Sequence, residues 1–461
     1  MARPTPPGSS GHRGHARGPV RLALQKLLPF VNWNHAYAAW SYTRSALWVM
    51  PILALVGALL FTRLMVALDG WISWDLTTLA PEGARALFQT VITLTLSFLI
   101  FTFGSLLVAI QIAGGQLTPR IIATTLLRDR VIRYTAGLSV FTMLIAIGAL
   151  NRTAGSVYEL LTFAVACFGT ASLASFLFLI DYSARLLRPV RIVELVCDDG
   201  MEVIRAMYPE THAGNVEPAD GRVDPAVLAA PARTVLHAGR SRVLLTVDLD
   251  LLVEEARRHD GIIEVAPQIG DFVAADEPLF LLHGGARDCD DDALREAAAL
   301  GNERTMEQDP MFAFRILVDV ALKALSPAIN DPTTAVLALD QIHRLLRLVG
   351  KRRLQGEQLT DHDGRLRVVF RTPNWEDFVQ VSCSEIRACG ANNLQIARRL
   401  RAMLENLIRS LPPERHAALR QQLDLLDRTL PGLYPLEEDL ALARIPDPQG
   451  LGGSTMRCPR T

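Results

Sequence analysis

The residues of this chain best suited to binding a ligand lie in two short blocks, 303–310 and 324–335. Each block carries an aspartate directly before a proline, which is typical of a helix N-cap followed by proline at the first helical position. The free N–H groups at such a helix start, together with nearby basic side chains, could bind an anion. The candidate ligand-binding residues are Arg304, Asp309, Arg315, Lys323, Ser326, Asn330, Asp331, Thr333 and Thr334.

The same blocks also have a structural interpretation. Pro327 and Pro332, with a cap between them, would fix a sharp helix–helix corner whose polar side chains satisfy exposed backbone groups. Glu307, Asp309 and Asp331 could alternatively hold a cation, although their spacing does not match a calcium-binding loop. At this point the corner, the anion site and the cation site all stay open.

The sequence contains no arrangement typical of a catalytic centre. It has no P-loop, dinucleotide-binding fingerprint, G-x-S-x-G or HExxH motif. Its six cysteines form no C-x-x-C pair, and no histidines lie near them at zinc spacing. We therefore expect that the protein is not an enzyme, has no catalytic residue and binds no metal or cofactor. A net charge of −1 gives no reason to expect nucleic-acid binding.

Four apolar segments in the first 190 residues predict an integral membrane protein. Each is close to the ~20 apolar residues that a helix needs to cross a bilayer. In lipid the backbone polar groups must be paired within the segment, so each segment should be helical. The predicted spans are 45–68, 86–112, 134–150 and 157–180.

Arginine is concentrated on alternate sides of these spans, which predicts their orientation. The chain before the first span, the loop between the second and third, and the segment after the fourth are all arginine-rich. The positive-inside rule then places both termini in the cytoplasm.

Polar residues inside the spans could be functional. Thr90, Thr93, Ser97, Gly104 and Gln111 recur at offsets of three, four or seven and share one face of the second helix. Such a face favours close helix packing, but it could equally line a water-filled path.

Two further sites near the membrane boundaries, one in the first span and one at the end of the second, allow two interpretations each. Arg63 in the first span could extend to the membrane interface or bind an anion inside the bundle. Gly114, Gly115 and Pro119 could simply end the second helix, or they could form a gating hinge.

A β-rich unit follows the membrane part. Its segment 261–282 resembles the turn and strands of biotinyl- and lipoyl-type small β-barrels. Those domains carry their cofactor on a lysine, whereas this chain has none between Lys26 and Lys323. The resemblance therefore implies a structural barrel-like unit and no carrier role.

The predicted fold class is an α-helical membrane domain of four spans followed by an α+β cytoplasmic domain, which contains the small β-barrel-like unit and a helical C-terminal part. The expected divisions are a basic N-terminal segment with an interfacial helix, the membrane domain, a connecting helix with linker and β unit, a mostly helical domain and a disordered tail. They cover residues 1–44, 45–188, 189–285, 286–445 and 446–461.

The two blocks also carry a family resemblance. Residues 303–310 match the pattern E-R-T-x-x-Q-D-P, and residues 324–335 match A-L-S-P-x-x-N-D-P-x-T-A. With the segment GGQLTPRII at 114–122, they resemble the bacterial membrane proteins of the domain of unknown function 2254 family. The resemblance spans roughly residues 36–444 and implies membrane helices plus a cytosolic domain, but no activity.

These observations favour a homo-oligomeric channel or transport-type protein in the lipid bilayer, with a cytoplasmic gating or assembly domain. The alternative hypothesis is a membrane-anchored sensor or scaffold whose cytoplasmic domain binds a small anion or a protein partner. Both hypotheses rest on architecture and not on a recognised chemical motif.

Overall fold

The computed structural model describes residues 49–69, 71, 80–116, 130–152, 157–186, 188–211, 228, 230–306, 308–354 and 358–452. Within these ranges four helices are long and apolar enough to cross a membrane. They are α1 (Val49–Asp69), α2 (Pro81–Gln116), α3 (Arg130–Leu150) and α4 (Glu159–Leu186). The predicted interfacial helix within residues 1–44 lies outside the described residues.

Large apolar side chains cover the outer surface of these helices. Leu60 of α1, Ile100 of α2 and Leu177 of α4 are 64%, 67% and 58% exposed. A water-soluble bundle would turn such residues inward, whereas lipid solvates them well. The prediction of four apolar helices able to span a membrane is thereby confirmed.

Small residues let the four helices pack closely. A Cβ added to Gly148 of α3 would lie 3.3 Å from Thr62 Cγ2, and one added to Gly169 of α4 would lie 3.0 Å from Val91 Cγ2. At one end of the bundle, the Asp69 carboxylate accepts a hydrogen bond of 2.9 Å from the Leu160 amide. The end of α1 thus satisfies a free N–H group at the start of α4.

Helix α5 (Pro189–Met207) connects the bundle to the rest of the chain. Its Leu195 packs against a small apolar cluster that includes Leu106 of α2, Ile132 of α3 and Leu179 of α4. Its buried face, which includes Gly200, belongs to a second and much larger helical core. One helix therefore contacts both the membrane bundle and the extramembrane region.

The β-rich unit is built on two sheets around helix α6 (Leu249–Arg258). The first has the order β1-β5-β3-β8-β7, and the second has the order β4-β2-β6. The strands are β1 (Arg233–Leu236), β2 (Arg242–Val247), β3 (Gly261–Val265), β4 (Phe272–Val273), β5 (Pro278–Gly284), β6 (Ala298–Gly301), β7 (Gln358–Thr360) and β8 (Leu366–Val369). A short helix α7 (Asp291–Glu296) precedes β6.

The two sheets do not form the closed barrel that the sequence predicts. Strand β8 arrives from far along the chain and pairs in parallel with β3, with Ile263 opposite Val368. This pairing extends the first sheet to β7 instead of closing it on itself. The β unit therefore draws strands from both sides of the predicted division at residue 285.

The remaining helices form one large apolar core with the buried face of α5. Side-chain caps define where four of them begin, at Asp309, Asp331, Asn374 and Asn393. The helices are α8 (Pro310–Ala324), α9 (Pro332–Val349), α10 (Trp375–Gly390), α11 (Leu394–Ser410), α12 (His416–Leu433) and α13 (Glu437–Ala443).

Residues 445–452 form a strap across α11, although the sequence predicts disorder from residue 446. The Arg398 side chain, which is fully buried, donates to the carbonyl of Ile445 at 3.0 Å and to that of Gly452. The buried Asp447 carboxylate accepts the Gly452 amide at 2.7 Å. These buried polar contacts order the strap, because each group would otherwise be desolvated without compensation.

We predict that Gly200→Ala destabilises the chain by about 1–3 kcal/mol, a typical cost of overpacking. An added Cβ would lie 2.6 Å from the Ala313 Cβ, which has no flexible end that could move away. Denaturant unfolding of the detergent-solubilised chain measures the effect.

The matched control for this prediction is Gly432→Ala in α12, where an added Cβ meets nothing within 4 Å. That change should leave the free energy of unfolding equal or raise it by up to about 1 kcal/mol, because alanine favours a helix. If the Gly200→Ala chain were as stable as the wild type, the close packing of α5 against α8 would be contradicted.

Candidate functional site

The polar face of α2 lies on the outside of the four-helix bundle. Thr90, Thr93 and Ser97 are all exposed. Each hydroxyl donates a 2.8 Å hydrogen bond to the carbonyl four residues earlier in its own helix. The hydroxyls are therefore satisfied locally, yet their face is not covered by any other described part of the chain.

The same face stays open further along α2. Gly104 and Gln111 are exposed, and a Cβ added to Gly104 or Gly115 would meet nothing within 4 Å. The helix continues through Gly114 and Gly115 to Gln116, so it does not end at the glycine pair. We call the exposed residues Thr90, Thr93, Ser97, Gly104, Gln111 and Gly115 the α2 stripe.

Arg63 and Pro119, the remaining candidates in the membrane part, do not belong to the α2 stripe. Arg63 is exposed in the last turns of α1, so its side chain is not enclosed by the bundle. Pro119 lies outside the described residues.

The interior of the bundle contains a different set of hydroxyl groups, which the sequence analysis did not single out. Thr142 and Ser172 lie 2.8 Å apart, and Ser175 donates to Thr135 at 3.1 Å. The rings of Phe61, Phe141 and Phe168 pack edge to face beside them at centroid distances of 5.1–5.6 Å. The available signal for this interior was the spacing of Thr135, Ser139 and Thr142 at offsets of four and three, which places them on one face of α3.

The first ligand-binding block forms an ion pair between the partly exposed Arg304 and the buried Asp309. Asp309 also caps α8 by accepting the Phe312 amide at 3.2 Å. Burial raises the pKa of the Asp309 carboxyl, and the hydrogen bond from Arg304 opposes that rise. The guanidinium also packs on Gly270 in the β unit, where an added Cβ would lie 2.5 Å from it. The ion pair thus connects the β unit to the helical core.

Arg315 is likewise committed to other parts of the chain. Its guanidinium pairs with Asp319 on the same helix and with Glu385 of α10, where Nη2 and Oε2 lie 3.0 Å apart. The hydrogen bond from Arg315 lowers the pKa of Glu385. Arg315 thereby fixes α8 to α10.

The second block forms the helix–helix corner. Ser326 Oγ donates to the Lys323 carbonyl at 2.7 Å, and the Asn330 amide donates to the Ser326 carbonyl at 2.8 Å. Asn330 adopts a positive φ of 49°, which asparagine tolerates better than most residues. Asp331 accepts both the amide and the hydroxyl of Thr334.

The ligand-binding candidates therefore do not converge on one point. Asp309 caps the start of α8 and Lys323 lies near its end, which for 15 residues is a separation of about 20 Å. Thr333 is exposed beside the corner. The structural interpretation of these blocks accounts for the contacts that the structure shows.

One group of chemically competent side chains was missed by the sequence analysis. Glu255, His259 and Cys289 place one potential metal-ligand atom each within 4.8 Å of the others. Glu255 and His259 are one helical turn apart, but Cys289 is thirty residues further along the chain from His259. Sequence spacing alone therefore gave no signal for this group.

Comparisons with known proteins agree with the observed layout. An uncharacterized protein of Mycobacterium bovis and one of Mycobacterium tuberculosis are each 26% identical to this chain over 441 residues, covering 89% of this chain and 83% of the relative. No solved structure matches. A family model described as a predicted membrane protein (DUF2254) matches residues 44–406, which is more than half of the chain. The chain therefore belongs to the DUF2254 family of predicted membrane proteins.

Proposed function

We propose that this protein is a homo-oligomeric channel or transport-type protein in which the α2 stripes of several copies face one another. The observation that carries the proposal is the exposure of this run of small and polar residues beside large exposed apolar side chains such as Ile100 and Leu107. Glycines and hydroxylated residues allow helices to approach closely in lipid and can hydrogen-bond to a neighbour or to water. A second copy would cover the stripe, and a wider assembly would enclose it around a path.

The length of α2 supports a link between such an assembly and the extramembrane region. Its 36 residues extend over about 54 Å, compared with the ~30 Å of a hydrocarbon core. Near the far end of α2, Leu106 packs in the cluster that also holds Leu195 of α5. A rotation of α2 would therefore be transmitted to α5 and to the helical core, as a gating or assembly domain requires.

We further propose that the membrane is the bacterial inner membrane and that both termini are cytoplasmic. The distribution of arginine in the sequence supports this orientation. The proposal requires two kinds of partner, the lipid bilayer and further copies of the chain. A small ion or anionic solute is the proposed cargo.

The orientation can be measured with reporter fusions after Thr461. We expect a C-terminal green fluorescent protein to fluoresce and a C-terminal alkaline phosphatase to be inactive, because the first matures in the cytoplasm and the second outside it. The opposite pair of results would place the extramembrane region outside the cell.

The α2 stripe can be tested by disulfide cross-linking in membranes. In a background with Cys167→Ser and Cys389→Ser, which removes the two exposed cysteines of the described residues, we expect Thr93→Cys to give a cross-linked dimer. The control is Leu177→Cys on α4, which is also exposed but lies on an apolar surface. Equal cross-linking at both positions would argue against a specific interface.

Transport can be tested with the purified chain in liposomes. We expect ion or small-anion flux in the wild type, and a change of about tenfold or more in Ser97→Leu, equivalent to about 1.4 kcal/mol in the barrier. The matched control is Thr170→Leu on α4, because Thr170 is also exposed and bonded to its own helix. A folded oligomer without flux would leave a membrane-anchored sensor or scaffold as the function.

A further inference from the structure

Three potential metal ligands meet at the end of α6. Glu255 and His259 project from the same side of the helix because they are four residues apart. Cys289 follows a short 3-10 helix, Gly285–Asp288, that lies against the end of α6. Glu255 and Cys289 are buried, and His259 is partly exposed. This group, the α6 cluster, lies outside everything that the proposed function uses.

The distances within the α6 cluster are close to those of a tetrahedral zinc site. Bonds of ~2.3 Å to sulfur and ~2.05 Å to nitrogen at the tetrahedral angle place the two ligand atoms about 3.5 Å apart. Cys289 Sγ and His259 Nδ1 are 3.3 Å apart. The carboxylate Oε2 of Glu255 is 3.9 Å from the same nitrogen, about half an ångström further than ideal.

The Glu255 carboxylate is oriented by a neighbouring arginine. Its Oε1 accepts a hydrogen bond of 2.7 Å from Arg258 Nη1, while Oε2 faces His259. One carboxylate oxygen is thus held in place and the other is directed at the cluster. Metal-ligating carboxylates are commonly held by such an outer hydrogen bond.

The thiol and the imidazole are already in contact. Burial raises the pKa of the Cys289 thiol to about 11, and the Glu255 carboxylate adds to that rise. Cys289 Sγ lies 3.3 Å from His259 Nδ1, so a cation between them can bond to both atoms with little movement of either side chain. The backbone carbonyl oxygen of Glu255 lies 3.1 Å from the same nitrogen and accepts its proton in the tautomer that is protonated on Nδ1. A cation bound at Nδ1 therefore selects the other tautomer, which carries its proton on Nε2.

Two glycines fix the approach of Cys289 to the helix. A Cβ added to Gly285 would lie 1.9 Å from the carbonyl oxygen of His259, and one added to Gly261 would lie 2.0 Å from the Ala286 amide nitrogen. Any other residue at either position would push the 3-10 helix away from α6. The backbone itself therefore brings the thiol within reach of the imidazole.

We propose that Glu255, His259 and Cys289 form a binding site for a divalent cation of the zinc class. On binding, the thiol releases its proton to solvent, and the cation bonds to the thiolate, to His259 Nδ1 and to Glu255 Oε2. The two anionic ligands balance the charge of the cation, which suits a buried position. One thiolate, one imidazole and one carboxylate are ligands typical of zinc, and a fourth position is left for water.

Cobalt(II) is the probe that tests the proposal, because its bond to a thiolate gives a charge-transfer band in the near ultraviolet. The full chain, purified in detergent through a tag without histidine, should bind one equivalent of Co²⁺ with this band. Cys289→Ser should abolish the band. The matched control is Cys197→Ser, since Cys197 is also a buried thiol whose pKa burial raises to about 11.

A second variant keeps the test decisive if Cys289→Ser fails to fold. Loss of an outer hydrogen-bond partner of a metal ligand typically weakens binding about 10–100-fold. Because His259→Gln removes a ligand itself, it should weaken Co²⁺ binding by at least that much. Circular dichroism verifies the fold of each variant. A wild-type chain that gives no thiolate band at saturating Co²⁺ would overturn the proposal, and so would a band that persists in folded Cys289→Ser.

Discussion

The arrangement of the extramembrane region depends on one ion pair, between Arg304 and the buried carboxylate of Asp309. Asp309 starts α8, which lies almost wholly within the helical core. Arg304 reaches from the same ion pair to the ring of Phe312, 5.6 Å away, and to the turn at Gly270. The charged residues that first suggested a ligand site therefore hold the β unit against the helices. Burial of a carboxylate is tolerated here because its charge and both its oxygens are compensated.

A second constraint comes from the lipid environment. In lipid the hydrophobic effect does not drive helices together, so their association depends on close packing and hydrogen bonds. The interior of the bundle meets this constraint with small residues, paired hydroxyls and aromatic rings. The α2 stripe has the same composition but no partner in the described part of one copy. The contrast between the paired interior of the bundle and the uncovered stripe on α2 is the physical basis of the proposed assembly. Helix α5 would then carry any rearrangement of that assembly to the helical core.

The parts of this fold that local sequence determines could be predicted well. Runs of apolar residues identified the four membrane helices, and Asp-Pro pairs marked the starts of α8 and α9. The parts that depend on distant pairing could not. Strand β8 joins β3 across about a hundred residues, and Cys289 meets His259 across thirty, so neither contact leaves a local pattern. Helical periodicity found the shared face of α2, but it contained no information on whether that face points inward or outward.

The strap at residues 445–452 has a consequence for the order in which the chain can mature. Ribosomes deliver the membrane helices first, and their insertion precedes synthesis of the strap. Two hydrogen bonds of the buried Arg398 are made only when Ile445 and Gly452, about fifty residues later in the chain, have been synthesised. The helical core is therefore completed only after the strap has been synthesised, when the membrane helices have already been inserted. Quality control of this protein would then act on a tethered and unfinished domain at the membrane surface.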